Sequence, residues 1–577
     1  MKKKLLPALI VTGLIILVVI IMGITALINK YTPTKKTEDL KEYFNISSDD
    51  EAALIVDNEL SDYKAKIIDK KIYVDYKFVH DSLNSRFYWD ANENVLLYTT
   101  ASDIISAAAD SNSYSVTKQT NDFGYPIVKA TSDSALIALD YVKQYSNITF
   151  KSYDDPARIV ITSKWDEIDS ATVSKSTQVR VKGGIKSPIL KEVKKDDKIT
   201  ILDSGDKWDK VATEDGVIGY IKRKALSESK KTKLTNPDYE EETFTHIKKD
   251  KDICLAWNQV TSQSANSKVP QIISSTKGIN VMSPTWFYLN DNNGNLADIA
   301  SKDYVSYCHS QGIEVWGLFS NFENTDVDAA YVLTHTSTRT TLINQIMSAA
   351  FNYELDGVNI DFENITEAAY GASYIEFIRE LAIKCHNNGI SLSVDVTVPA
   401  SFNKFFNRSD MANFADYIVI MGYDEHYKGS DAGSVSSIPW VTEGVESTLK
   451  EVPADQIILG MPFYTRIWEL TPKEDDDAVT DTEDQSKYTV ASQVYSMDAA
   501  AAQLATNNAT TALDEESGQN YAEWSASNKL YKVWLEDSTS LEKRLKLVDD
   551  NKLAGAAFWK LGFENSSVWD TVIKYLN

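Results

Sequence analysis

From Leu5 to Ile28 the chain is apolar without a single charge, a run long enough to cross a bilayer as a helix. A basic segment, Met1 to Lys4, precedes it. A cleavable leader is shorter and ends in a small-residue cleavage site, and neither feature stands out here. The run therefore reads as an uncleaved anchor with its N-terminus in the cytoplasm, although Lys30, Lys35 and Lys36 follow it and weaken the charge asymmetry. Tyr31 to Asp50 is polar and reads as a short stalk. Between Ala52 and Trp165 the pattern changes to short β-branched and aromatic runs. One series is Lys71–Val79, Arg86–Asp90 and Val95–Thr100; a second is Ala138–Val142, Ile148–Tyr153 and Arg158–Thr162. Each series goes helix-like segment, strand, acidic turn, strand, which makes a weak internal repeat. Ala171 to Glu228 predicts an all-β module with strands at Val179–Val181, Lys198–Leu202, Trp208–Ala212 and Ile218–Ile221. A polar linker follows.

From Thr243 onward, apolar strands alternate with helical patterns. The strands expected are Ile253–Trp257, Gly278–Pro284, Glu314–Phe319, Gly357–Glu363, Ser391–Val398, Tyr417–Tyr423, Ile457–Phe463 and Gly555–Trp559, with helices such as Thr341–Asn352 and Ala372–Asn387 between them. Eight strand–helix units are the count of a (β/α)8 barrel. The seventh and eighth strands lie too far apart for a simple connection. A helical run at Asp498–Thr506 and a strand pair near Ala522–Trp524 and Tyr531–Trp534 predict a small α+β insertion beside the barrel mouth.

Within this region Asp356-Gly-Val-Asn-Ile-Asp-Phe-Glu363 alternates with a period of two. Val358, Ile360 and Phe362 fall on one face, and Asn359, Asp361 and Glu363 on the other. In a sheet covered by helices, that polar face has the barrel mouth as its destination, where such folds keep their chemistry. The same octapeptide taken alone also fits a solvated hairpin strand. Asp356 has the opposite parity and reads as structural, fastening a neighbouring loop or helix; Gly357 is structural in the same motif.

The chain has 577 residues and a formal charge of −24. Its length calls for several domains. Its charge argues against nucleic acid or an anionic membrane surface as partners. Cys254, Cys308 and Cys385 have no metal or redox spacing and read as buried small hydrophobes, and the six histidines are scattered. An exported protein without a disulfide framework points to a bacterium. The acidic loop Glu474–Asp477, with Asp481, Glu483 and Asp484, lacks the glycine-punctuated spacing of a calcium loop and reads as a solvated face. No metal and no cofactor is expected.

The octapeptide resembles the fourth-strand signature of glycoside hydrolase family 18, the chitinases and related N-acetylglucosaminidases. That signature is Asp-Gly-x-Asp-x-Asp-x-Glu. Further landmarks follow in order: Met421-Gly-Tyr423-Asp424, then Gly460-Met-Pro-Phe-Tyr464-Thr-Arg466-Ile-Trp468, then Trp559. The resemblance implies a substrate-assisted retaining mechanism, in which the substrate's 2-acetamido group is the nucleophile. It makes Glu363 the acid/base, with Asp361 orienting the acetamido N–H and Tyr423 bonding its carbonyl. Asp424, Met421, Tyr464 and Arg466 fall in the substrate-binding set, and Trp559 forms the floor under the sugar. Asn359 departs from the pattern: it stands where the family has an acid, and an amide hydrogen-bonds but does not titrate. The Asn form also resembles the spore-cortex and cell-wall lytic branch of the family. The 51–166 segment resembles the copper amine oxidase N-terminal-like domain, with no copper ligands implied, and 170–228 resembles a bacterial Src-homology-3-like domain.

The organisation expected is thus a cytoplasmic tail (1–4), anchor (5–28), stalk (29–50), α+β repeat domain (51–166), Src-homology-3-like barrel (170–228), linker (229–242) and catalytic barrel (243–577) with an insertion at about 470–550. The activity expected is cleavage of β-1,4 bonds at N-acetylglucosamine in peptidoglycan or spore cortex, by a monomeric enzyme anchored in the membrane and facing outward. A chitinase acting on external chitin and a catalytically silent sugar-binding protein are the alternatives.

Overall fold

The computed structural model describes residues 2–365, 368–473 and 485–576. The acidic loop considered for calcium falls at 474–484, outside the described residues. The chain divides into two compact units: Met1–Trp89 with Ala107–Tyr114 and Thr120–Glu241, and Asp90–Ser106 with Ser115–Gln119 and Glu242–Asn577.

The first unit begins with the helix Lys2–Tyr31. Its stretch Leu9–Tyr31, of mean hydropathy 2.9, is long and apolar enough to cross a membrane. The stalk expected at 29–50 is not a free tether. Thr34 and Glu38 donate backbone hydrogen bonds to Ile185 and Ile189, and Phe44 is buried among Ile55, Val179, Leu190 and Val211. Its few apolar residues, Leu40, Tyr43, Phe44 and Ile46, carry that packing. A seven-stranded sheet runs Thr149–Tyr153, Arg158–Thr162, Glu51–Val56, Glu59–Ile68, Lys71–Asp75, Ala135–Ala138, Val128–Ala130. The run Lys71–Val79 splits into a strand to Asp75 and a helical turn from Tyr76. Asp75 accepts the Lys77 N–H at 2.7 Å and so caps that turn. A second seven-stranded sheet is antiparallel and contains all four strands expected between 171 and 228. Lys230–Lys233, expected as linker, is its edge strand, paired with Glu167–Thr172.

In the second unit eight parallel strands close into a barrel: β1 (Ile253–Asn258), β2 (Val281–Leu289), β3 (Glu314–Ser320), β4 (Gly357–Asp361), β5 (Ser391–Thr397), β6 (Tyr417–Met421), β7 (Ile457–Pro462) and β8 (Gly555–Trp559), with β8 pairing back to β1. β2 begins and ends later than its sequence suggests. Gly278 adopts φ +79° in the preceding turn, and beyond a bulge at Thr285–Phe287 the strand keeps its pairing with β3 and gains an antiparallel partner, Leu296–Asp298. Alternation sorts the side chains. Val358, Ile360 and Phe362 pack outward in the layer between barrel and helices. Leu255, Trp257, Trp316, Leu318, Tyr417 and Val419 fill the barrel axis. The Trp316 and Tyr417 rings stack there at 5.6 Å. Gly357 has to be glycine, because a Cβ would sit 2.5 Å from the Trp316 ring.

Three helices matter below: α1 (Thr336–Tyr353), α2 (Ala368–His386) and α3 (Ser538–Asn551). Between β7 and α3 the insertion forms a five-stranded sheet of Tyr488–Ser496, Tyr464–Pro472, Lys529–Leu535, Gln519–Ala526 and Ala512–Asp514, with the helix Met497–Thr506 after its first hairpin. The expected helix and strand pair are both present. The sheet opens earlier than expected, at Tyr464, which places Tyr464 and Arg466 on it.

Candidate active site

β4 ends its ladder at Asp361 and β6 ends at Met421, so Glu363 and Tyr423 lie just past the last paired residues, at the C-terminal mouth. Asn321, just after β3, holds the Glu363 backbone from both sides. Its amide oxygen accepts the Glu363 N–H at 3.0 Å and its Nδ2 donates to the Glu363 carbonyl at 3.1 Å. The acid therefore has a fixed backbone, and its carboxyl has no hydrogen-bond partner among the described residues. Burial raises the Glu363 pKa, and the charges of Asp424 and Glu323 raise it further. A carboxyl so placed keeps a proton to higher pH, as a general acid requires.

Asp361 is buried, and its Oδ1 has no hydrogen-bond partner among the described residues. Burial pushes its pKa well above the ordinary range, and Asp395, Glu363 and Glu323 add to the shift. Asn359 is fully enclosed. Its Oδ1 accepts from Trp257 Nε1 at 3.0 Å and from Ser283 Oγ at 2.9 Å, and its Nδ2 donates to Asp395 Oδ1 at 2.7 Å. Tyr423 stands edge-on to Trp257 and Tyr464, with ring centroids 6.4 and 6.2 Å apart. Burial first, then Asp395 and Asp361, raise its phenol pKa well above the usual value, so it remains an O–H donor. Trp559, ending β8, packs against Trp257 at 6.0 Å and is half-buried, leaving part of its face to the mouth. Met421 is half-buried at the end of β6.

Asp424, at φ +62°, is exposed and held from the insertion side: Tyr464 donates its hydroxyl to Asp424 Oδ1, and Arg466 Nη2 lies 3.7 Å away. Arg466 also donates to Ser492 Oγ at 3.2 Å, while its Nε has no partner among the described residues. Asp356 lies outside this group. It accepts the Val315 N–H and bonds His309 Nε2, each at 2.8 Å, which ties β4 to β3 and to the helix before it.

The structure thus brings Asn359, Asp361, Glu363, Met421, Tyr423, Asp424, Tyr464, Arg466 and Trp559 to one end of the barrel. It adds Asp395, Asn321, Glu323, Trp257 and Ser283, which the sequence did not single out. Asp395 had a signal: Ser391, Ser393, Asp395 and Thr397 form one polar face of β5, as Asn359 and Asp361 do on β4.

Residues 321–564 match the sequence model of the glycosyl hydrolases family 18. They form a family 18 domain. The chain therefore carries a glycosidase. The uncharacterized glycosylase YvbX of Bacillus subtilis is 24% identical over 301 residues, covering 49% of this chain and 81% of that protein. The cortical fragment-lytic enzyme of Bacillus subtilis is 25% identical over 287 residues, 48% of this chain and 63% of that one. Among solved structures, the Bacillus cereus spore cortex-lytic enzyme SleL overlays with a TM-score of 0.50 at 18% identity, covering 60% of this chain and 77% of that one. That likeness concerns the fold alone.

Proposed function

We propose that this chain is a membrane-anchored enzyme that cleaves β-1,4 bonds at N-acetylglucosamine in peptidoglycan or spore cortex, with Glu363 as acid/base. One observation carries the reading: Glu363 is held by its backbone at the barrel mouth with its pKa raised, and the buried Asp361 sits two residues before it on the same face. Glu363 protonates the glycosidic oxygen as the bond to the anomeric carbon breaks. The substrate's acetamido oxygen attacks that carbon from the other face and forms an oxazolinium ion. Asp361 orients the acetamido N–H and balances the positive charge, and Tyr423 donates to the acetamido oxygen. The Glu363 carboxylate then takes a proton from water, which opens the ion with retention. Trp559 offers an apolar face to the sugar. Asp424, held by Tyr464 and Arg466, contributes polar groups to the same mouth.

The helix Lys2–Tyr31 serves as the anchor, with the catalytic barrel outside the cell. The segments 51–166 and 170–228 serve as accessory modules of the copper amine oxidase N-terminal-like and Src-homology-3-like kinds, the latter suited to wall peptides. The cortical fragment-lytic relatives favour wall polymer over chitin.

The test is incubation of the detergent-solubilised full chain with cortex, vegetative peptidoglycan and chitin oligomers, with new ends read by mass spectrometry against Glu363→Gln. New N-acetylglucosamine ends on wall substrates, lost in Glu363→Gln, support the reading. Ends on chitin alone favour a chitinase. Saturable binding by both proteins with no cleavage points to a silent sugar-binding protein and makes Asn359 the residue to explain.

A further inference from the structure

We infer that Asp395, on β5, is the positioning carboxylate that shares a proton with Asp361 and sets its charge, supplying from β5 what the family signature supplies from the position that is Asn359 here. The inference rests on the glycosidase reading above.

The register of the barrel comes first. Gly357, Val358, Asn359 and Ile360 pair with Ser391, Leu392, Ser393 and Val394. One further step sets Asp361 beside Asp395, on neighbouring strands and on the same inward face. Both carboxylates are buried, at 8% and 2% exposure, and no cation pairs with either among the described residues. Two like charges confined this way do not both ionise, so one proton is held between them.

Asn359 fixes which way Asp395 faces. An indole N–H only donates, so the bond from Trp257 requires the amide oxygen of Asn359 to point at the indole. The Ser283 hydroxyl donates to that same oxygen. The amide nitrogen is then left for Asp395 Oδ1. An aspartate at 359 could not donate this bond without carrying the proton itself. With asparagine, the chain keeps a permanent donor at 359 and moves the titrating group one strand over.

Asp395 accordingly has a raised pKa, about 8. Burial raises it most, the Asn359 hydrogen bond lowers it, and the Glu363 charge raises it. The groups facing the pair are Glu363 beyond β4, Tyr423 beyond β6, Tyr374 from α2 and Glu323 beyond β3, with Asp424 next to Glu363. None is a cation. When substrate presents its acetamido N–H, the O–H bond on Asp361 breaks and an O–H bond on Asp395 forms. The negative charge then resides on Asp361, where the oxazolinium ion develops. The reverse transfer follows product release.

The experiment compares the full chain with Asp395→Asn and with Asn359→Asp/Asp395→Asn, which returns the acid to β4. On the substrate found to be cleaved, Asp395→Asn is expected to lower kcat on the order of a hundredfold with little change in KM. Its pH–kcat bell should shift to lower pH, because both Asp361 and Glu363 lose a like-charged neighbour. The double variant should recover most of the rate and move the bell back. In the unliganded protein, infrared spectroscopy should show a carboxylic-acid C=O band that titrates near pH 8, titrates at lower pH in Asp395→Asn, where buried Asp361 alone holds the proton, and moves back in the double variant. A lowered rate with an unshifted bell assigns Asp395 a structural role and overturns the inference, as does a band whose titration does not move in Asp395→Asn. If the wild type cleaves nothing, the glycosidase reading fails by itself. The infrared band then decides the carboxylate pair independently.

Discussion

The barrel buries two sets of acids on opposite terms. Around its helices three buried glutamates, Glu380, Glu376 and Glu536, each meet a guanidinium. Arg339 of α1 bonds Glu380 of α2 at 2.8 Å, Arg379 bonds Glu376 at 3.0 Å and also reaches Asp410, and Arg544 of α3 pairs with Glu536. Additional donors complete these sites: Thr99 Oγ1 gives to Glu376 at 2.7 Å, and Ser540 Oγ gives to Glu536 at 2.7 Å. At the mouth Asp361 and Asp395 have no cation, and Asp361 Oδ1 has no partner among the described residues. Burial raises acids in both places: Glu536 is pushed to about 7 even with Arg544 lowering it. The difference is what opposes burial. Around the helices, the arginines oppose what burial raises in Glu380 and Glu536, and Arg339–Glu380 fastens α1 to α2. At the mouth, unopposed burial leaves acids able to hold and release protons, as catalysis needs.

The largest break in this comparison comes from removing the acid itself. Glu363→Gln keeps shape and hydrogen bonding but carries no exchangeable acid proton. It is expected to reduce kcat by about 10²–10⁴-fold without changing the melting temperature, as read by reducing-end release and calorimetry.

Next is the loss of a guanidinium. Arg544→Met leaves Glu536 buried without its counter-charge and should cost about 3–5 kcal/mol in urea unfolding. Replacing both partners, Arg544→Met/Glu536→Leu, should recover most of that, because the stranded charge is what costs stability. A double variant as unstable as the single one would show that Arg544 acts chiefly through its bond to the Ser436 carbonyl at 2.7 Å.

A smaller effect has the opposite sign. The folded pKa of Asp395 lies above its unfolded value, so its contribution to stability is fully present below the ordinary carboxylate range and is lost as pH rises through about 8. Asp395→Asn removes that loss. It should melt a few degrees above the wild type at pH 9, with the gap closing toward pH 4. A gap that does not vary with pH would mean that the side chain matters for packing rather than charge.

The smallest effect sharpens the contrast by burial alone. Lys546 and Asp550, on the exposed face of α3, form an i,i+4 pair at 2.9 Å. Lys546→Ala should leave the urea midpoint unchanged within error, because water already screens both charges.

Much of the architecture was legible from period alone. Strands covered by helices are apolar runs, and seven of the eight barrel strands fall within a few residues of where the alternation puts them. Glu363 and Asp361 were legible because parity on one strand needs no partner. Three features were not. The packed segment around Phe44 is too sparsely apolar to stand out from a tether, and its burial comes from residues far along the chain. β2 runs on because of a bulge and an antiparallel neighbour that no local pattern announces. Asp395 shows its inward parity in the sequence, but nothing there says which strand lies next to it.

The sequence by itself determined which faces are apolar and which carry acids, because side-chain direction follows from a local backbone period. It also determined that residue 359 cannot titrate. Only the tertiary structure decided that Asp361 and Asp395 stand side by side with no cation among the described residues, while Glu380, Glu376 and Glu536 each find an arginine. Register and closure of the barrel bring together residues from separate strands, and a carboxylate's charge depends on its neighbours in space rather than on those in the chain.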